Sequence, residues 1–278
     1  MTKPLILGAV AYDPKVVTIW DGFKAWFARQ GLAFDYVLYS NYESQVRAHF
    51  AGHCDVAWNS PLAWIEAERL AAKHQRRARA IAMRDTDMDL TSVVVTHKDA
   101  GADAIADLEG KRVGTGAVDS PQATLIPLQM LAERGLTPGE DFEIVNFNIG
   151  VGLHGDHVGG ERDAARALMA GDVDACLILD ANRLLFAREG TLPTAATQVI
   201  RETEAFDHCN FTIFEDDMSA TIERFVELLL GMQWDDPEVR PLLELEGLTK
   251  WMPGRVSGYG ILNRAVDRTG HLDAFLDS

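Results

Sequence analysis

Short apolar runs alternate with stretches of helical periodicity along nearly the whole chain, and this alternation restricts the fold more than any other feature. A strand, an amphipathic helix and a further strand form a βα unit, and repeated βα units build a largely parallel sheet covered by helices. The apolar runs predict strands over 5–11, 34–39, 56–58, 79–83, 92–96, 112–116, 142–147, 175–179, 198–201 and 211–214. After the first of these, Val16, Trp20, Phe23 and Phe27 recur at i, i+4, i+7 and i+11, a single stripe suited to packing on a sheet. Further helices are expected over 43–51, 61–72, 123–134, 161–170 and 219–232, with Gly135 and Gly171 ending two of them. At 278 residues, 47% of them hydrophobic, the chain can bury a large core without covalent staples. Cys54, Cys176 and Cys209 are scattered and form no CxxC pair, so buried thiols are expected.

Charge narrows the partners. The chain carries 26 basic and 42 acidic residues, a formal net charge of −16. Its densest basic stretch, Lys73-His74-Gln75-Arg76-Arg77, is short. Phosphate-backbone binding draws on concentrated positive charge, so nucleic acid and anionic membrane are poor partners, and no nucleic-acid partner is expected. Charge-free runs such as 124–132 fall well short of the ~18 apolar residues that span a bilayer, so no direct membrane insertion is expected. The N-terminal segment leads straight into a predicted strand without the apolar core and cleavage site of an export signal. As given, the chain reads as cytoplasmic, or as periplasmic if an export signal was removed.

The segment 99–110 looks like a restart, a short helix feeding a fresh strand, and 203–209 looks like a return. Two lobes follow: residues 1–96 with 206–278, and an inserted lobe of residues 97–205. A ligand cleft would lie between them.

Polar residues cluster where predicted strands end. Tyr12-Asp13-Pro14 follows the first strand and Asn59-Ser60-Pro61 the third. Ser60 suits either a helix cap or, through the same helix N-terminus, an anion contact. The stretch Gly114-Thr115-Gly116 through Ser120-Pro121-Gln122-Ala123-Thr124 joins a strand to a helix by a turn of small and hydroxyl residues. Its N–H groups and the hydroxyls of Ser120 and Thr124 can converge on a carboxylate, phosphate or sulfonate without a formal positive charge. Ser120 as a plain N-cap is the alternative. A P-loop lysine and a GxGxxG fingerprint are both absent. His154 and His157 lie in a glycine-rich loop with Asp156. A metal reading lacks a third, distant ligand, and a histidine donating to a bound anion or a carbonyl fits better. No metal is expected. Asp180 ends a strand and serves a ligand hydroxyl or amine, or caps the next helix. In Asp207-His208-Cys209-Asn210, neighbouring side chains on a strand diverge, so Cys209 reads as a core residue.

With these positions in place, the chain resembles the phosphonate-type substrate-binding proteins of ABC transporters, within the type II periplasmic-binding-protein fold. The resemblance rests on 8–27, on Ala51-Gly52-His53-Cys54-Asp55-Val56-Ala57-Trp58-Asn59-Ser60-Pro61-Leu62-Ala63-Trp64, on 107–114, on the Ser120–Thr124 turn and on 170–175. It implies an α/β, two-lobed fold with a ligand cleft and a solute-binding protein closing on a small polar or anionic ligand. It implies no cofactor, with ABC transporter membrane components as possible partners. The ligand contacts it implies are Tyr12, Asn59, Ser60, Ser120, Gln122, Thr124 and Asp180, to which the residue reading adds Ala123 and His157. The turn departs from the family in holding fewer hydroxyls and one amide, and the loop 150–160 is longer. The alternative function is a cytoplasmic enzyme that reuses this fold, with His157, Asp180 or Cys209 as acid, base or nucleophile.

Overall fold

The aromatic stripe of the first helix decides where one core forms. In the computed structural model, which describes residues 3–156 and 158–277, helix α1 (Lys15–Arg29) buries Val16, Ile19, Trp20, Phe23, Trp26 and Phe27. Phe23 and Phe27 meet at 6.2 Å between centroids, and Phe211 packs its ring at a tilt against both Trp58, at 4.6 Å, and Trp251, at 5.2 Å. These rings exclude water from a sheet face that the strands alone leave open.

The chain divides into two compact units, Met1–Met88 with Asp207–Gly258 and Leu272–Ser278, and Asp89–Phe206 with Tyr259–His271. In the first unit, β1 (Leu5–Val10) lies between β2 (Phe34–Tyr39) and β3 (Val56–Asn59), parallel to both. β10 (Asn210–Phe214) inserts antiparallel between β3 and β4 (Ala78–Arg84), and β11 (Trp251–Pro253) pairs antiparallel at the edge of β4. Helices α2 (Tyr42–Phe50), α3 (Pro61–Lys73), α7 (Ala220–Gly231), α8 (Arg240–Glu246) and α10 (Asp273–Asp277) complete the unit with α1.

The second unit holds the strand order β7-β6-β8-β5-β9, with β5 (Ser92–His97), β6 (Arg112–Thr115), β7 (Glu143–Asn146), β8 (Ala175–Leu179) and β9 (Thr197–Glu202). β6 runs parallel to β7 and β8, and β5 runs antiparallel to β8 and β9. Its helices are α4 (Ile126–Glu133), α5 (Gly159–Ala170), α6 (Asp180–Glu189) and α9 (Gly260–Thr269).

Three expectations change. Both sheets are mixed rather than largely parallel, because β10 and β5 enter antiparallel between their neighbours. An apolar run signals a strand but carries no mark of its direction. The boundaries also move. Residues 89–96, placed above with the first lobe, belong to the second unit, where Ser92 pairs with Leu179 and Val93 with Glu202. Residues 259–271 join it as well, since Arg264 bonds Glu133 at 2.7 Å and Arg268 bonds Gln129 at 2.6 Å. Finally, the helix expected over 123–134 starts with a π-helical turn, Pro121–Leu125, before α4.

Candidate functional site

In an α/β unit, the carboxyl ends of parallel strands and the helix N-termini that follow them gather unsatisfied N–H groups, and polar side chains collect there. The second unit shows this at the turn after β6. Ser120 is buried and caps the π-helical turn, its Oγ accepting from Ala123 N at 3.2 Å. That bond leaves the Ser120 O–H to donate. Thr124 Oγ1 donates to Ala117 O at 2.7 Å, and Gly116 N donates to Ala123 O at 3.2 Å, which closes the turn on itself. The Gln122 amide nitrogen donates to Gly155 O at 2.8 Å, its side-chain oxygen is buried without a partner among the described residues, and Ser92 Oγ donates to the Gln122 backbone carbonyl.

Glu161 organises this network, and the sequence reading missed it. Its Oε2 accepts from Leu179 N at 2.9 Å and Asn182 Nδ2 at 3.0 Å, and its Oε1 faces Gln122 Nε2 at 3.4 Å. The carboxylate thus ties the Gln122 turn to the end of β8 and the start of α6. A signal was present: Glu161, Ala164, Ala165 and Leu168 fall at i, i+3, i+4 and i+7, which puts an acid on the buried face of α5. Asp180 stands at the first position of α6, where its Oδ1 accepts from Arg183 Nε at 2.8 Å. Asp119 accepts from Gly152 N at 2.5 Å, which anchors the glycine-rich loop. His154 is buried there with φ +49°, whereas His157 lies outside the described residues.

The first unit gathers its polar groups at the corresponding edge of its own sheet. Because β10 and β11 run against β1, β3 and β4, the ends of Val10, Asn59 and Arg84 share an edge with the starts of Asn210 and Trp251. Asn59 is fully buried. Its Oδ1 accepts from Gln45 Nε2 at 2.8 Å and its Nδ2 donates to Thr212 Oγ1 at 2.9 Å, so it ties α2 to β10. Ser60 caps α3 through Ala63 N at 3.1 Å, with Pro61 opening the helix. Tyr12 is half-buried and borders a crevice with Val10, Trp20, Trp58 and Glu246.

A charged cluster lies along the same edge. Arg84 grips Asp87 with two bonds, 2.5 and 2.8 Å, and reaches Glu246 Oε1 at 3.4 Å while its guanidinium sits 5.2 Å from the Trp58 ring. Burial opposes both charges of the Arg84–Asp87 pair, but their mutual attraction outweighs it. Arg84 is held protonated above its ordinary range, and Asp87, aided by His208, is held ionised below the usual carboxylate range. Arg255 clamps the buried Asp207 at 2.5 and 2.7 Å. His208 and Cys209 do converge, contrary to the sequence expectation, with Nδ1 3.1 Å from Sγ. They precede β10, so the alternation of a regular strand does not separate them. The same nitrogen faces Asp87 Oδ1 at 3.5 Å, so the imidazole does not bridge thiol and carboxylate through opposite nitrogens as a nucleophile relay requires. Arg84 and Asp87 were also missed, since only tertiary pairing brings the end of β4 beside the start of β10.

Among solved structures, the fold is similar to PhnD1 from Prochlorococcus marinus in complex with methylphosphonate, with a TM-score of 0.71, 14% identity, and 96% of this chain and 98% of that one covered. It is similar to XAC2383 from Xanthomonas citri bound to ATP, with a TM-score of 0.72 and 15% identity over 97% and 99% of the two chains. The periplasmic aliphatic sulphonate binding protein SsuA from Escherichia coli follows at 0.58, with 14% identity over 96% and 84%. These likenesses show the α/β fold. The profile of the family described as "ABC transporter, phosphonate, periplasmic substrate-binding protein" matches residues 9–259, nearly the whole length. That family is periplasmic, which agrees with the second of the two placements left open above and not with the cytoplasmic one. No helix among the described residues is long and apolar enough to cross a membrane. The chain therefore belongs to the phosphonate-binding family of periplasmic, solute-binding components of ABC transporters.

Proposed function

We propose that this chain binds a small solute bearing a tetrahedral oxyanion in the periplasm and delivers it to the membrane components of an ABC transporter. The family match over residues 9–259 carries the solute-binding part of this reading. The oxyanion part is supported by what the related structures have in common. One holds methylphosphonate, one is named for sulphonates and one holds ATP, and all three ligands present a tetrahedral centre ringed with oxygen.

The chain's own chemistry agrees. In the second unit, the Ser120–Thr124 turn heads a helix that continues through α4, so its first N–H groups carry the positive end of a long dipole. Ser120 adds a hydroxyl donor, and Gln122 and Ala123 shape the turn. Thr124, bonded to Ala117 O, holds it closed. Asp180 accepts a hydroxyl or amine of the ligand. In the first unit, Tyr12 and Ser60 offer contacts at the sheet edge, and Asn59 fixes that edge from within. His157 is a further proposed donor. Neutral donors suit an acidic protein, because they recognise an anion by preorganised dipoles without adding a charge that must be desolvated.

A thermal-shift titration of the purified chain with methylphosphonate, methanesulfonate, inorganic phosphate and ATP tests the reading. At 100 times Kd, a true ligand stabilises the folded state by about 2.7 kcal/mol. At least one of the four is expected to raise Tm in a saturable way. Flat curves for all four at millimolar concentration refute the oxyanion assignment and leave the family membership standing.

A further inference from the structure

Asp87, His208 and Cys209 place an oxygen, a nitrogen and a sulfur in one small volume of the first unit. The candidate ligand atoms all lie within 4.8 Å of one another, and the three residues are 2%, 8% and 2% exposed. A tetrahedral zinc-like ion bound to sulfur, imidazole nitrogen and carboxylate oxygen holds its ligands about 3.3–3.7 Å apart. The observed Nδ1···Sγ and Nδ1···Oδ1 separations are 3.1 and 3.5 Å, within a few tenths of an ångström of that geometry. Both short distances run to one ring nitrogen, the arrangement that suits three ligands facing one ion.

The supports are rigid. Arg84 holds the Asp87 carboxylate with two bonds, which leaves a second lone pair on Oδ1 for a metal. His208 N donates to Asp87 O at 2.7 Å, so backbone pairing fixes the two ligand residues against each other. Charge agrees as well. Arg84 faces two carboxylates, Asp87 and Glu246, leaving one negative charge in excess. A divalent ion together with a Cys209 thiolate adds one net positive charge and brings the cluster to neutrality, which a buried site favours.

We propose that Cys209 Sγ, His208 Nδ1 and Asp87 Oδ1 form a site for a thiophilic divalent metal ion of the zinc class. On binding, the Cys209 S–H bond is replaced by a metal–sulfur bond and the proton passes to the buffer. His208 binds as the neutral tautomer with its proton on Nε2.

The test uses the purified chain stripped with a chelator. Isothermal titration with Zn2+ in buffers of different ionisation enthalpy is expected to give one ion bound per chain with proton release. Co2+ is expected to produce a thiolate-to-cobalt charge-transfer band. Cys209→Ala removes that band and weakens Zn2+ binding by more than the roughly 10–100-fold that follows loss of an outer-shell partner. His208→Gln weakens Zn2+ binding to a similar degree while keeping the thiolate, and Cys54→Ala and Cys176→Ala bind as the parent does. If Cys209→Ala fails to fold by circular dichroism, Cys209→Ser takes its place, and the band in the parent decides in any case. Absence of the band, or Zn2+ binding unchanged in the Cys209 and His208 variants, overturns the proposal.

Discussion

Gly155 offers a quantitative probe of the turn after β6. Its φ is +79°, and a Cβ placed there would lie 2.3 Å from Ser120 Oγ, 2.6 Å from Gln122 Nε2 and 2.9 Å from Ser120 Cβ. Gly155→Ala therefore combines two costs. A left-handed backbone at a non-glycine residue costs roughly 1–2 kcal/mol. Forcing a methyl into a filled space costs roughly 1–3 kcal/mol more, and displacement puts the 2.8 Å Gln122–Gly155 bond at risk. Gly190, also in the second unit, isolates the first cost, with φ +76° and nothing within 4 Å of its Cβ. Gly190→Ala should destabilise by about 1–2 kcal/mol and Gly155→Ala by about 2–5 kcal/mol, compared by urea unfolding followed by circular dichroism. At this chain length the gap corresponds to several degrees in Tm. Equal losses would refute the claim that Gly155 is packed on Ser120 and Gln122.

Other consequences follow from buried groups. His49 is enclosed against Phe214 at 4.5 Å, and burial lowers its pKa to about 4. The unfolded chain takes up this proton near pH 6.5 and the folded chain does not, so stability is untouched at neutral pH and falls as pH drops from about 6.5 towards 4. Between pH 7 and pH 5 the loss is about 2 kcal/mol. His49→Phe should flatten that part of the stability–pH curve, and an unaltered slope would show that His49 is not held neutral. Glu161→Ala should cost about 2–4 kcal/mol, because it strands Leu179 N–H and the Asn182 amide in the interior. Glu161→Gln retains one acceptor and should cost less than half as much by the same unfolding assay; a larger loss for Gln than for Ala would contradict the network.

Local signals in the sequence carried the strands and helices well. The runs at 34–39 and 175–179 coincide with β2 and β8, and the Trp20–Phe27 stripe lies on α1 as its spacing requires. Ser60 and Ser120 cap helices because the Ser-Pro pair both accepts at N3 and opens a first turn. Direction and membership were not local. The run 92–96 reads the same whichever sheet receives it, and only pairing with Leu179 and Glu202 assigns it. Helix α9 shows a regular apolar face with Ile261, Leu262, Ala265 and Val266, yet the glycine and arginine around it obscured the pattern. The polar cluster was the least legible part. Arg84 with Asp87, His208 with Cys209, and Glu246 come from three separate segments, and the sequence distance between those segments hides a contact that sheet register creates. Asn59 was noticed for its place after a strand, but its bonds to Gln45 and Thr212 depend on α2 and β10 being in position.

Calorimetric titration of the parent and of Ser120→Ala with the oxyanion that gives the largest thermal shift tests the central claim most directly. One hydrogen bond to a charged ligand corresponds to about 1.5–3 kcal/mol, so Ser120→Ala should weaken binding by roughly 10–100-fold at unchanged stoichiometry. Ser219→Ala, which removes an equivalent helix cap from α7 in the first unit, should leave the affinity as it was. An affinity that survives Ser120→Ala, or that falls equally in both variants, would contradict recognition of the anion by the Ser120 turn.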